Sequence, residues 1–374
     1  MVSPEPGPPN PVVMIGVALL DRQSAAQTRA REWNQKQEVL LTGSYIVFES
    51  VGKAVLKQFE VQQPKAGQVL LENEYTVVSA GTERANLMNL PNTSLAFPYH
   101  PGYCGIGRVI AVGDGVEKAK IGDRALAGFS GHRSHAVQNA ADLTVVKDDR
   151  IESLDAAFVA IAAMGLQGVR KLKLQLGESA MVIGIGILGI FATQLAALDG
   201  AIPVIVSDFD KKRRELALTL GADHAFPPDE EDLPEKIREL TYGKGVDAII
   251  EVTGAAVALQ QALTYVAWEG RISLLGCTRV SDANIDFYQY VHKRGVSLIG
   301  AHTFVRPKVD SYPGYWTTQD DYRTLLALIG AKKLKVRPII SEIVSPECAP
   351  AIYKRLAEDK NPPLGIVFDW KKIQ

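Results

Sequence analysis

From Tyr45 to about Ala141 the chain reads as short runs of alternating apolar and polar residues broken by Gly and Pro, for instance QVLLENEYTVVS and GRVIAVGDGV. That texture predicts an all-β, barrel-like unit. From about Asp155 the pattern changes. Helical stretches then alternate with apolar strands at SAMVIG, IPVIVSD, the short DHAFP, VDAIIEVTG, RISLLG and VSLIGA. Six strands joined by crossovers long enough for helices argue for an α/β, doubly wound parallel sheet. After Pro307 come a loop, SYPGYWTTQ, a helical run from Asp320 to Ile329, a strand-like RPIISEIVS, a helix through Tyr353 and a closing strand GIVFDW. The pattern divides the chain into an N-terminal extension over 1–43, a β unit over 44–154, a parallel-sheet unit over 155–306 and a closing segment over 307–374.

The first strand of the parallel-sheet unit runs straight into Gly184, Gly186 and Gly189, within Ser179–Phe191, SAMVIGIGILGIF. This is the GxGxxG spacing of a dinucleotide-binding turn. The first Gly permits a tight turn, the second lets backbone approach a pyrophosphate, and the third lets the next helix pack on the strand. The context supports the motif: an apolar strand precedes it, a helical pattern follows through Gln194 and Leu198, and a second strand ends in Asp208, nineteen residues past Gly189. A carboxylate there accepts hydrogen bonds from the adenosine ribose hydroxyls. With Leu188 between the glycines, these residues form the expected cofactor turn; the bland reading is a Gly-rich turn without a ligand.

Composition narrows the classes. The 374 residues are 47% hydrophobic with a formal net charge of -1, which describes an ordinary soluble protein and gives no sign of a nucleic-acid partner. The basic run Lys211 to Arg214 falls at a predicted helix start, where a solvated face explains it. Cys104, Cys277 and Cys348 are far apart and odd in number, which fits a reducing compartment; the cytoplasm is expected. The apolar run Val12 to Leu20 is too short for a membrane span and lacks the basic flank of a signal peptide, so no membrane association is expected.

Together with the nucleotide motif, three further segments resemble those of the medium-chain dehydrogenase/reductase superfamily, the alcohol and polyol dehydrogenases. FPYHPGYCGIGRVIAVGDGV is similar to its FPxxxGHExxGxVxxVGxxV, IGDRALA to its xGDRV turn, and SAGTER to its CGTD. The resemblance covers about residues 45 to 374. It implies a Rossmann-type sheet plus a GroES-like β-barrel catalytic domain onto which residues 307–374 fold back, and a homodimer or homotetramer paired through the sixth strands. The GTER form is also similar to a metal-free dehydrogenase of bacteriochlorophyll synthesis.

The departures carry as much information. Zinc-dependent members hold their metal by the Cys of CGTD, the His of GHE and a residue at the start of the nucleotide domain; here Ala80, Tyr103 and Ala160 stand at those positions. Catalytic zinc takes three protein ligands of the His, Cys, Asp or Glu type. No zinc and no other metal is therefore expected. His100, Cys104, His132 and His135 have no standard ligand spacing.

The resemblance also assigns the cofactor contacts. Asp208 favours NAD over NADP, since a 2′-phosphate would meet a like charge, and Arg213 is placed on the same ribose; the neighbouring Lys211, Lys212 and Arg214 keep NADP open. Thr253, Gly276 with Cys277, and Ala301 with His302 fall at carboxyl ends of strands, where open α/β sheets bind ligands. Tight turns are the alternative, above all for Cys277. Without a metal, side chains must orient the carbinol and manage its proton. Thr82 stands where the family keeps a hydroxyl on the substrate oxygen, or caps a local turn. Tyr103 either donates to an alkoxide, as a general acid with a pKa lowered by a nearby cation, or fills the vacated metal space. Glu83 orients its neighbours. His132 and His135 are candidate proton relays, with a surface position expected for at least one of them.

These readings converge on a zinc-independent, NAD(H)-dependent oxidoreductase that interconverts a secondary alcohol, sugar-, polyol- or cyclitol-like, and a ketone. An NAD(P)H-dependent enone or quinone reductase, and an inactive nucleotide-binding sensor or structural protein, are the alternatives.

Overall fold

The computed structural model describes residues 41–312, 314–359 and 361–373. The expected extension over 1–43 therefore lies almost wholly outside the described residues. The alternation noted from Tyr45 onward becomes β1 (Thr42–Ser50), β2 (Lys53–Glu60) and β3 (Gln68–Val77), followed by a short helix α1 (Ala80–Leu87). The polypeptide then returns through β4 (Gly105–Val112), β5 (Arg124–Leu126), β6 (His135–Asn139) and β7 (Thr144–Val145). β1 and β2 form an antiparallel hairpin, and register shifts in the β3–β4 ladder between Leu70 and Leu71 and between Asn73 and Tyr75 bend that pair, as bulges do.

A brief α2 (Ser153–Ala156) leads into α3 (Val159–Leu172), VAIAAMGLQGVRKL. This helix is apolar nearly all round, and a helix of that kind has to be enclosed. Eleven of its residues are buried, and eight of them lie in the same core cluster as Cys104, Ile106 and Leu126 of the β unit and Val182, Ile190 and Phe191 of the parallel-sheet unit. It is the shared spine of the two units.

The six parallel strands are β8 (Ala180–Ile183), β9 (Val204–Ser207), β10 (His224–Phe226), β11 (Val246–Glu251), β12 (Val266–Leu274) and β13 (Ser297–Gly300). Between them lie α4 (Ile187–Leu198), α5 (Lys211–Thr219), α6 (Leu233–Leu240) and α7 (Ala256–Tyr265). Their spatial order is β10-β9-β8-β11-β12-β13, the Rossmann-type doubly wound arrangement. The order reverses between β8 and β11, so the crevice at their carboxyl ends is where a ligand is accommodated.

The closing segment contributes α8 (Thr318–Gly330), β14 (Ile340–Val344), α9 (Ala349–Glu358) and β15 (Gly365–Asp369). α8 starts two residues before the helical pattern does, because the Thr317 hydroxyl accepts the Asp320 amide and caps it. RPIISEIVS begins with a 3₁₀ turn over Arg337–Ile339 and is extended only from Ile340, since Pro338 has no amide to donate to a ladder. β15 lies parallel to β14 and antiparallel to β3, with Val367 opposite Val77, so the segment completes the sheet β14-β15-β3-β4-β5-β7.

Where the chain leaves β13, the buried Asp321 of α8 takes Arg306 at 2.9 Å on one carboxylate oxygen and Arg170 of α3 on the other. Burial pushes the Asp321 carboxyl up to about 6 against the pull of the two guanidinium groups. Arg170 also lies over the Trp316 ring, 4.1 Å from its centroid. Removing the carboxylate leaves two cations without a counter-charge in a dry site. Asp321→Ala is expected to lower stability by about 3–5 kcal/mol, read from denaturant unfolding; a loss within about 0.5 kcal/mol, the range of an ordinary surface substitution, would show that the triad contributes nothing.

Candidate active site

The glycine turn follows β8 with the geometry its sequence implies. Gly184 has φ +92°, and a Cβ there would come within 2.6 Å of Thr253 Cγ2, so the turns after β8 and β11 are packed face to face. A Cβ on Gly189 would lie 2.0 Å from the Gly184 carbonyl oxygen, which excludes any side chain. Gly186 differs. Nothing lies within 4 Å of its would-be Cβ, and as N-cap of α4 it offers no side chain to the first amides of the helix. Open space before uncapped N–H groups is a site for an anion such as a pyrophosphate. Leu188, half-buried, anchors the first turn against the core.

Asp208 sits at the end of β9 with both oxygens engaged: one accepts the Ile185 amide at 2.6 Å and the other the Asp210 amide at 2.8 Å. These bonds hold the carboxylate beside the glycine turn with lone pairs to spare for ribose hydroxyls. Arg213 is drawn elsewhere, donating to the Pro362 carbonyl of the closing segment at 2.6 Å. Arg214, at the next position, donates to the carbonyls of Asp208 and Phe209.

Glu251 ends β11 as an acid inside an apolar strand. Its buried carboxylate accepts the amides of Thr253 and Gly254 and the Thr253 hydroxyl, and so folds the turn, while burial raises its carboxyl pKa. Gly276 and Cys277 run tightly against that turn, with a Gly276 Cβ meeting the Gly254 nitrogen at 2.3 Å; the Cys277 thiol is exposed. Ala301 is buried, and His302 is exposed with its Nδ1 accepting the Phe304 amide.

Two of the expected catalytic residues are brought together. The Tyr103 hydroxyl donates to Ser79 Oγ at 2.5 Å, and the ring stacks on Phe129 at 5.7 Å. Burial raises the Tyr103 hydroxyl well above its ordinary value, Cys104 and Glu83 add to this, and hydrogen bonds with Ser79 and Thr82 pull it the other way. No cation figures among these influences, so the phenol is a neutral donor, not the acidified one the sequence suggested. Phe129 continues into a cleft of about 1050 Å³ that Gly128, Thr303, Phe304, Arg306 and Tyr322 also line.

Glu83 and His132 are bonded to each other at 3.1 Å behind this cluster, both buried. His132 has no exposure, whereas His135, on β6, is only partly covered, its pKa lowered to about 4 by burial. β6 pairs antiparallel with β3, His135 opposite Glu72. Ser79, Glu251 and Tyr353 are the site residues sequence reasoning missed. Ser79 was visible as the first residue of SAGTER, and Glu251 as an acid in VDAIIEV; nothing in the chain pattern pointed to Tyr353.

Of the three positions aligned with the zinc ligands of the resembling family, Ala80 and Ala160 have no donor atom, and at the third the raised pKa of the Tyr103 phenol disfavours a phenolate ligand. Burial holds the Cys104 thiol well above its ordinary value, which disfavours the thiolate a metal needs. Among the described residues no three His, Cys, Asp or Glu side chains converge to hold a metal ion. This donor set does not fit catalytic zinc.

Comparison with known proteins agrees with the fold. Residues 188–329 match the family model described as zinc-binding dehydrogenase. The chain is 28% identical over 321 residues to L-threonine 3-dehydrogenase of Pyrococcus furiosus, an alignment covering 77% of this chain and 87% of that one. Among solved structures, galactitol-1-phosphate dehydrogenase of Escherichia coli superposes with a TM-score of 0.77 at 18% identity, covering 87% of this chain and 99% of that one. An alcohol dehydrogenase of Escherichia coli CFT073 complexed with NADH gives 0.75 at 17% identity, over 88% and 99%. The molecule is thus an alcohol dehydrogenase-like oxidoreductase. The family model and the relatives support the medium-chain dehydrogenase/reductase superfamily.

The two inner glycines make separable predictions. Gly189→Ala, with no room for a methyl group, is expected to lower the melting temperature by several degrees, as overpacking of about 1–3 kcal/mol does in a chain of this size. Gly186→Ala should fold normally and weaken NADH binding about tenfold or more, read by NADH fluorescence titration. Equal NADH affinity in Gly186→Ala and wild type would remove the turn from the binding site.

Proposed function

We propose that the protein is a zinc-independent, NAD(H)-dependent oxidoreductase that interconverts a secondary alcohol, sugar-, polyol- or cyclitol-like, and its ketone. The observation that carries this reading is the hydroxyl cluster of Ser79, Thr82 and Tyr103, with Tyr103 at a position aligned with a zinc ligand of the resembling family. Asp208, held beside the glycine turn, supports NAD over NADP, because its charge would oppose a 2′-phosphate. When bound, the nicotinamide supplies the hydride. Everything else falls to this chain's own side chains.

Thr82 and Tyr103 hold the substrate oxygen between two hydroxyls. In ketone reduction the hydride adds to the carbonyl carbon, the π pair moves to oxygen, and the forming alkoxide takes a hydroxyl proton. Tyr103 serves as the donor, because burial keeps its hydroxyl protonated until the alkoxide forms beside it. β13 is an edge strand, and Trp268, Phe287 and Tyr288 are large exposed apolar residues, in keeping with a homodimer paired there. A monomeric mass in sedimentation equilibrium would rule that pairing out.

The direct test follows NADH absorbance with NAD and a panel of polyols, or with NADH and the matching ketones, alongside metal analysis of the active enzyme. Thr82→Val should lose roughly 100-fold or more in kcat/KM with an unchanged melting temperature. Full activity in both Thr82→Val and Tyr103→Phe would take the hydroxyls out of the mechanism. A phenol with a raised pKa keeps its proton to higher pH. Reduction is therefore expected to be flat from about pH 6 to 9 and oxidation to climb through that range. An oxidation rate that levels off near neutrality would point to a different base.

A further inference from the structure

The buried pair Glu83 and His132 forms part of a longer polar chain that ends in the closing segment. Glu83 accepts the Ser79 amide at 2.9 Å on one oxygen; the other takes the Tyr353 hydroxyl at 2.5 Å and His132 Nε2 at 3.1 Å. On the far side of the imidazole, Nδ1 lies 2.7 Å from Thr76 Oγ1, which in turn accepts the Trp370 indole N–H at 2.9 Å. Trp370 donates to Thr76, and with Thr76 donating to Nδ1 and Nε2–H donating to Glu83 every member of the chain is satisfied. Every group in the chain is then partnered, which a buried polar network needs in order to be stable and specific.

Two contacts tie this chain to the reacting groups. Glu83 reaches back to the amide of Ser79, the N-cap of α1, whose hydroxyl makes no cap and instead receives Tyr103. The turn before Tyr103 rests on the imidazole itself: Gly102 has φ +102°, and a Cβ there would meet His132 ring atoms at 2.7–2.8 Å. One carboxylate therefore fixes the turn that carries Thr82, and one imidazole fixes the turn that carries Tyr103.

We infer that His132 and Tyr353 are positioning residues, which through Glu83 set the distance between the Thr82 and Tyr103 hydroxyls. The inference rests on those two hydroxyls being the proposed catalytic pair. Tyr353 comes from α9, 270 residues away in sequence, so the closing segment contributes to the active site without facing the cleft. His132 moves no proton to solvent in this role.

The test uses the full-length protein. Tyr353→Phe keeps the ring that packs on Phe48 and deletes the hydroxyl. It is expected to lower kcat about 10- to 100-fold, the scale of a misplacement near 1 Å, with NADH affinity and KM for the alcohol within about twofold of wild type. His132→Leu should act in the same direction. His132→Gln, whose amide can still donate to Glu83, should recover part of the loss. A purely structural role would instead lower the melting temperature and leave kcat well below that temperature untouched. Crystal structures of wild type and Tyr353→Phe with NADH give a readout independent of turnover. The inference expects the Thr82 and Tyr103 hydroxyls to move apart. Unchanged hydroxyl positions, or wild-type kcat in both Tyr353→Phe and His132→Leu, would overturn it. If wild type turns over no alcohol or ketone while the hydroxyls move, the proposed reaction falls and the positioning role stands.

Discussion

The catalytic sheet has a gap in its middle that only β15 fills. β3 pairs with β4 along one edge and with β6 over Gln68–Glu72 of the other, and the rest of that second edge is closed by a strand 290 residues downstream, Val367 facing Val77. Until that ladder forms, β3 presents unpaired amides, and Phe368, Trp370 and Tyr353 have no core to enter. The nucleotide unit between the two partners carries no such debt to distant sequence. Its strands pair with neighbours joined by single crossovers or a short detour, as doubly wound sheets do. Contacts of such long sequence separation are slow to form, because loop closure precedes any gain from pairing.

Seen from the chemistry, the same strand placement explains why the site is built from so many parts of the chain. The glycine turn and Asp208 come from the nucleotide unit, and Thr82 and Tyr103 from the barrel. The residues that hold the hydroxyls in register come from the barrel and the closing segment. α3, buried between the units, gives all of them one rigid reference. The hydroxyls of Ser79 and Tyr103 form a cluster at the base of the proposed site. It gains from being held dry and fixed, since hydrogen-bond donors aimed at a developing charge count for more in a low-dielectric site than in water.

Much of this was legible in the chain. The glycine turn was, because the requirement is local: Gly189 has a carbonyl 2.0 Å from where a methyl would be, and no other residue type satisfies that contact. The alternation of strands and helices and the acid at Asp208 were equally plain. Other features hid for physical reasons. Arg213 and Arg214 are neighbours in a basic run, and only the approach of Pro362 in space decides which of them leaves the ribose side. His132 sits among polar residues, GHRSH, yet is enclosed by Phe368 and Glu83 from elsewhere in the fold. Its burial depends on partners far away in sequence, so no local pattern could carry it. Tyr103 was readable as a substitution for a metal ligand, whereas the direction of its pKa depended on having no cation nearby.

The two units also touch across the mouth of the crevice. Arg279 donates to the carbonyls of Pro91 and Asn92, Asn92 donates to the Thr278 carbonyl, and Arg213 donates to Pro362. These are side-chain bonds to neutral carbonyls at a wet rim, where water can replace each partner at a net cost of about 0.5–1.5 kcal/mol. The rigid spine and the weak rim together make the molecule stiff at its centre and compliant at its edge. Thermal fluctuation can part the lips of the crevice, one water at a time, while the hydroxyls at its base keep their spacing.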